Sequence, residues 1–284
     1  MQEKPVVLIT GCSSGFGLLT ALAMASQFRV VATMRDLNKK GPLLKALAEN
    51  NNTVDLLSLD VCNKSDITRV INHISSQYGR LDSLVNNAGI ALAGFFEELD
   101  DSDIRSVMET NVFGLMALTQ AALPLLRQGK QAKIINISSI AGLTGTPSLS
   151  AYNASKWAVE GFSEALLFEL AHQNIAVVCV EPGPFNTKIF HDNLQLSGSI
   201  HDEASLYFTK SQRLMARLKK SIDKGLDDPE KVAELIKTIA LKKRPKFRYV
   251  IGRQAKIRVC LKRVLPFSWY QAIVTKALKN VFSD

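Results

Sequence analysis

The sequence predicts an α/β chain: a single domain over residues 1–284, built on a doubly wound, mostly parallel sheet with helices on both faces. Three observations lead there. The chain opens with a short apolar run, a glycine-rich turn and an uncharged helical stretch, in that order. Strand-like and helix-like segments then alternate to the end, with no Pro/Gly/Ser linker, repeat or low-complexity tract. The polar clusters Asn86–Gly89, Ser138–Ser139 and Pro182–Gly183 each follow an apolar run. That puts them at strand carboxyl ends, where an open sheet of this kind binds its ligand. At 284 residues and 46% hydrophobic, the chain can bury a large core.

Pro5–Ile9 reads as a buried parallel strand, because it is apolar and β-branched. Thr10-Gly11-Cys12-Ser13-Ser14-Gly15-Phe16-Gly17 follows at once, and Leu18–Phe28 is an uncharged helix candidate. Strand, glycine turn and helix form a phosphate-binding context: the glycines permit a tight turn, and the helix N-terminus offers N–H groups to a pyrophosphate. A loop that needs glycine only for its turn is the competing reading. Arg29–Met34 reads as the second strand, ending Ala32-Thr33-Met34-Arg35. An acidic residue there would bind a ribose 2′-hydroxyl, whereas an Arg accommodates a 2′-phosphate. Met34 cannot take the hydroxyl and Arg35 can pair with phosphate through its forked donors, so NADP(H) is expected over NAD(H); Asp36 could compete for Arg35.

Tyr152 and Lys156 stand four apart, with Ser139 thirteen residues upstream. On a helix starting near Tyr152, phenol and ammonium share one face. A free phenol has a pKa of ~10. A neighbouring cation should pull it down and fit it for proton exchange with an alcohol or carbonyl. An ordinary helix face is the bland alternative, since Tyr-x-x-x-Lys alone is a weak signal.

Together these motifs make the chain resemble the short-chain dehydrogenase/reductase family with a Tyr-x-x-x-Lys active site, over roughly residues 4–190 and with fair continuity to about 252. Within it, Thr10–Gly15 and Ala32–Asp36 resemble the 17β-hydroxysteroid and retinol dehydrogenase branch. The resemblance implies a single-domain Rossmann fold with about seven strands. It implies a cofactor site of Gly11, Ser13, Ser14, Gly15, Phe16, Gly17, Arg35, Asp60, Val61, Asn87, Ala88, Gly89, Tyr152, Lys156, Pro182, Gly183 and Thr187. It also implies catalysis by Asn111, Ser139, Tyr152 and Lys156: Tyr152 as proton donor, Ser139 as a hydrogen-bond donor to the substrate oxygen, Lys156 keeping Tyr152 acidic and holding the nicotinamide ribose, and Asn111 holding a relay water.

The expected function is NADP(H)-linked interconversion of a hydrophobic ketone or aldehyde and its alcohol, of steroid, retinoid or lipid-like class. The alternatives are broad carbonyl reduction of small aldehydes or quinones and a catalytically silent NADP(H)-binding regulator. Residues 188–225 are expected to close over the substrate and are rich in large apolar groups, among them Ile189, Phe190, Leu194, Leu196, Ile200, Leu206, Tyr207, Phe208, Leu214 and Met215. These either line the pocket or pack the lid's own helices. Phe95-Phe96 could line the same pocket, and His191 and His201 could meet a ligand's polar end.

Composition bounds the rest. Cys12, Cys62, Cys179 and Cys260 lack Cys-x-x-Cys spacing and read as reduced, partly buried thiols of a cytoplasmic protein. No His/Asp/Glu cluster has metal-ligand spacing, so no catalytic metal is expected. No signal peptide is expected, and no stretch approaches the ~18 apolar residues of a membrane span. Residues 237–284 hold thirteen Lys or Arg against one acid. That balance of +12 exceeds the +9 of the whole chain and leaves −3 on residues 1–236. Within the basic extension 253–284, Ser268 reads as the N-cap of a last helix with Trp269, Ile273, Val274, Ala277, Leu278 and Val281 on one stripe. Such a helix either lies on an anionic membrane or packs on protein with a solvated basic face. Nucleic acid is not an expected partner, for lack of a recognition motif; a homodimer or homotetramer is the assembly the resemblance implies.

Overall fold

The computed structural model describes residues 3–185, 194–223 and 226–282. Seven strands form one sheet: β1 (Val6–Ile9), β2 (Arg29–Met34), β3 (Asp55–Ser58), β4 (Ser83–Asn86), β6 (Lys133–Ile137), β7 (Ala176–Pro182) and β9 (Arg248–Ile251). Their spatial order is β3-β2-β1-β4-β6-β7-β9, and every neighbouring pair is parallel. The winding reverses between β1 and β4, which opens the ligand crevice of a doubly wound sheet. Register puts Ile9 beside Ala32 and Val85, so the turns that leave β1, β2 and β4 gather at one edge.

Both faces are covered because β1 alternates between two cores. Val7 and Ile9 pack with α1 (Gly15–Ala25), α2 (Gly41–Glu49) and α8 (Glu230–Leu241). Val6 and Leu8 pack with α3 (Lys64–Tyr78), α5 (Leu115–Arg127) and α6 (Ser150–Glu169). A strand buried on both sides has no use for a polar face, which is why Pro5–Ile9 reads as a continuous apolar run. α1 starts three residues earlier than its uncharged stretch suggests and ends at Ala25, where the Gln27 and Phe28 N–H groups both donate to the Met24 carbonyl and turn the chain into β2.

A second, two-stranded parallel sheet joins β5 (Ala91–Ala93) to β8 (Leu194–Leu196). It ties the expected lid to the body. α7 (Phe208–Asp223) follows, and Tyr207 stacks on Phe95 at 4.2 Å between ring centres and donates to Glu97 at 2.8 Å. Ile200 is buried, whereas Leu206 is 74% exposed and Phe96 65% exposed, so neither Leu206 nor Phe96 fills a closed interior. Thr187, Ile189, Phe190 and His191 lie outside the described residues. No described helix is long and apolar enough to cross a membrane.

The tail departs from expectation at its start and over part of its stripe. It forms α9 (Arg253–Val264) and α10 (Phe267–Phe282). Ser268 is inside α10 and does not cap it; the Trp269 and Tyr270 N–H groups donate to the Pro266 carbonyl. The inward face is carried by Tyr270 and Val281, both buried, with Val274 and Leu278 half-buried. Trp269 and Ile273 point outward, because the body receives Tyr270 one position along.

One buried ionic cluster sits beside the sheet's carboxyl edge. Glu181 on β7 and Glu160 on α6 are both buried, and Arg248 reaches Glu160 at 3.0 Å and Glu181 at 3.6 Å. Both Glu181 oxygens lack hydrogen-bond partners. Burial, with Glu160 adding repulsion, pushes the Glu181 carboxyl up to about 8. The folded chain therefore binds an extra proton between about 4.5 and about 8, and this contribution to stability is lost as pH rises through that window. Glu181→Gln carries no such proton. Its melting temperature should match the parent near pH 5 and exceed it by roughly 5 °C at pH 8. A gap that does not change with pH would contradict the buried, protonated carboxyl.

Candidate active site

The turn after β1 is held open by backbone chemistry. Gly11 and Gly15 have φ of +72° and +58°, a region that side chains rarely adopt. Ser14 precedes α1 in extended conformation, and its hydroxyl does not cap the helix. The first N–H groups of α1 thus keep their capacity for an anion. The turn after β4 is bolted against it. Thr10 Oγ1 accepts from the Asn87 and Ala88 N–H groups at 3.0 and 2.9 Å, and Asn87 Nδ2 donates to the Thr10 and Gly11 carbonyls at 2.8 and 3.2 Å. Beneath, Asn86 donates to Thr119 and Asn136, and Asn136 to Ser163, a fully satisfied polar row under the turn.

A cleft along this edge is lined by Gly11, Ser13, Ser14, Gly15, Phe16, Arg35, Asp60, Val61, Asn87, Ala88 and Gly89, all expected from sequence. Gly17 is not on its surface: it lies beneath, where a Cβ would overlap the Gly11 carbonyl and Asn87 Nδ2. The cleft also takes in Asp36, Lys39, Leu59, Ile90 and Thr110. Asp36 does not bind Arg35; it caps the short turn Leu37–Lys40 by accepting from the Asn38 N–H at 2.9 Å. Lys39 comes from that turn and puts a second cation beside Arg35. Its signal was the Lys39-Lys40 pair just past the second strand. These residues fit a dinucleotide: an uncapped helix N-terminus for the pyrophosphate, a glycine floor for close approach, and Asp60 and Arg35 toward the adenosine end.

Tyr152 and Lys156 lie in the first two turns of α6. Lys156 Nζ donates to the Ile137 carbonyl at 2.9 Å and stands 5.8 Å from the Tyr152 ring centre. Ser139 precedes a short turn, Ile140–Gly142, and its Oγ accepts from the Ala141 N–H at 3.1 Å. Asn111 sits where the helix that begins as α4 (Asp101–Met108) widens by one residue per turn over Glu109–Gly114 before continuing as α5. That bulge aims its amide inward: it donates to the Ile90 carbonyl and Ser155 Oγ and accepts from the Ile90 N–H. A Cβ on Gly89 would start 3.0 Å from Asn111 Oδ1 and 3.7 Å from Lys156 Nζ, so the cleft floor ends against this group.

Two positioning residues inside the Tyr-x-x-x-Lys motif escaped the sequence reading. Asn153 donates to the Ala141 and Thr144 carbonyls at 2.7 and 2.8 Å, which fastens the Ser139 turn to α6. Ser155 Oγ donates to the Tyr152 carbonyl and accepts from Asn111. Pro182 ends β7 at the same edge and Gly183 follows it, but neither lines the cleft, and Thr187 lies outside the described residues.

The electrostatics correct one expectation. Lys156 does not draw the phenol below its ordinary value. Burial raises Tyr152, and the hydrogen bond with Ser139 pulls the other way without overcoming it. Lys156 is itself pushed down to about 8 by burial, partly offset by Glu160. Loss of solvent, which disfavours both charged forms, outweighs a cation whose proton is directed at Ile137. Of the cysteines, Cys12 and Cys179 are buried, and burial pushes Cys12 up to about 12; Cys62 and Cys260 are exposed. Among the described residues, no group of three His, Cys, Asp or Glu could hold a metal ion.

Comparison with known proteins agrees with this geometry. The short chain dehydrogenase family model matches residues 5–196. A 3-ketodihydrosphingosine reductase of Bacteroides thetaiotaomicron is 38% identical, covering 88% of this chain and 89% of its own. Retinol dehydrogenase 8 of Bos taurus is also 38% identical, with coverage of 87% and 82%. Human 17-beta-hydroxysteroid dehydrogenase type 1 is 34% identical, with coverage of 87% and 77%.

Proposed function

The chain belongs to the short-chain dehydrogenase family of oxidoreductases, and we propose that within it the protein is an NADP(H)-dependent reductase of a bulky hydrophobic ketone or aldehyde. The observation that carries the reading is the placement of Tyr152 and Lys156 on the first turns of α6, with the Ser139 turn fastened to the same helix by Asn153, at the inner end of a cleft whose lining fits a dinucleotide. The bound cofactor supplies or accepts the hydride. The chain's own residues handle the oxygen. The Ser139 and Tyr152 hydroxyls donate to the carbonyl, and the Tyr152 phenol gives up its proton as alkoxide charge builds. A phenol held above its ordinary pKa stays protonated at neutral pH, which suits reduction. Lys156, still charged below about 8, supplies the replacement proton and regains its own from solvent, with Asn111 and Ser155 fixing the α6 turn that carries both.

Arg35 and Lys39 at the adenosine end support NADP(H). Losing one charge-assisted pair to a 2′-phosphate costs about 1.5–3 kcal/mol, so Arg35→Ala should weaken NADPH binding by roughly 10- to 100-fold and leave NADH nearly unchanged. Equal losses for both would sink the phosphate assignment. The relatives named for a ketosphingoid, retinol and a steroid support a lipid-like substrate and a place in lipid metabolism. A kcat/KM that peaks instead with small aldehydes would favour broad carbonyl reduction. The reading includes a cytoplasmic homodimer or homotetramer in peripheral contact with the membrane that holds such a substrate.

A further inference from the structure

We infer that the corner between α9 and α10 is the docking surface of this enzyme, and that its partner is an anionic lipid bilayer. The inference names the surface for the membrane contact in the proposed function and rests on that reading for its purpose. Around Leu265–Pro266, Val264 is 73% exposed, Phe267 68% and Trp269 65%. Ile257 and Leu261 lead up to the corner along α9, and Ile273 leaves it in the second turn of α10. Large side chains this open at one bend are what an interfacial element presents to the acyl boundary, with Trp suited to the headgroup level.

Charge selects the partner. Arg253, Lys256, Arg263 and Lys276 are exposed on the same two helices, and residues 237–282 contain no acid. Two copies meeting through this corner would set like charges against each other, whereas an anionic surface complements them. The inward cations do other work. Arg258 donates to the Gly145 carbonyl and to Thr146 at 3.2 Å; Lys262 donates to the Leu143 carbonyl at 2.6 Å and lies 4.4 Å from the Trp157 ring centre. Residues 143–146 continue the turn that carries Ser139. On the other side, α10 is held to α7 of the lid by Arg213 and Arg217, which donate to the Val281 and Ala277 carbonyls. A docked corner thus fixes both the catalytic turn and the lid relative to the bilayer.

The test uses the full chain without substrate. The protein has two tryptophans, Trp157 and Trp269. In a Trp157→Phe background, phosphatidylglycerol vesicles should shift Trp269 emission to the blue and carry the protein into the pellet, while phosphatidylcholine vesicles or high salt should not. Phe267→Ser with Trp269→Ser should cut the pelleted fraction by about tenfold, with turnover of a detergent-dispersed substrate unchanged. Unmoved emission with protein left in the supernatant, or variants that pellet like the parent, would overturn the inference. So would a dimer that the Ser variants dissociate while neither form binds vesicles. Loss of catalysis with docking intact would count against the proposed function and leave the docking standing.

Discussion

Replacing Tyr152 with Phe should lower kcat/KM by about 10²–10⁴-fold and leave NADPH affinity within a factor of a few. The change removes one oxygen and no packing. Nothing on the cleft side depends on that oxygen: the cleft is formed by the turns after β1 and β4, held by Thr10 and Asn87. Lys156 keeps its bond to the Ile137 carbonyl, and Asn153 keeps the Ser139 turn on α6. The loss should appear in kcat, since the phenol's work is done as charge develops on the substrate oxygen. Parallel measurement of kcat and of NADPH binding by fluorescence decides. A variant that retains most of its turnover would remove Tyr152 from the chemistry.

Gly17→Ala should act on the opposite end of the site, on cofactor binding where Tyr152→Phe acts on turnover. The new methyl group would overlap the Gly11 carbonyl and the Asn87 side-chain amide, two fixed groups of the turn. Relief requires α1 to move away from β4, which strains the Asn87 bonds to Thr10 and Gly11 and displaces the first N–H groups of α1, the proposed pyrophosphate contact. Overpacking of this kind costs about 1–3 kcal/mol, so NADPH and NADH should both bind roughly 10- to 100-fold more weakly. Gly161→Ala is the control: a Cβ there meets nothing within 4 Å, and α6 should gain about 0.5–1 kcal/mol of helix stability. Calorimetric titration with both cofactors checks the pair. Wild-type affinity in Gly17→Ala would mean that the close approach is not needed.

Elements whose sequence reflects a local constraint were legible. Gly11 and Gly15 announce left-handed backbone, and the run Val6–Ile9 announces a strand buried on both faces. Residues that act across the fold were not. Asn153 and Ser155 look like spacers between Tyr152 and Lys156, and only the return of residues 139–146 onto α6 gives them partners. Lys39 was hidden because its place depends on where the Leu37–Lys40 turn points. The expected stripe of α10 held at Val274, Leu278 and Val281 and missed at Trp269, Ile273 and Ala277: periodicity shows that a helix has an apolar face, but the shape of the body decides which residues enter it, here Tyr270 and not Trp269. The sign of the Tyr152 shift failed for a similar reason, because burial is a tertiary property and outweighed a charge that sequence alone places nearby.

The decisive assay follows oxidation of NADPH, and separately of NADH, with steroid ketones, retinal, long-chain ketones and small aldehydes, with Tyr152→Phe in parallel. A bulky hydrophobic class should turn over with NADPH, far more slowly with NADH, and almost not at all in the variant. Tight NADPH binding without turnover of any carbonyl, or turnover equal in the variant, would contradict the proposed function.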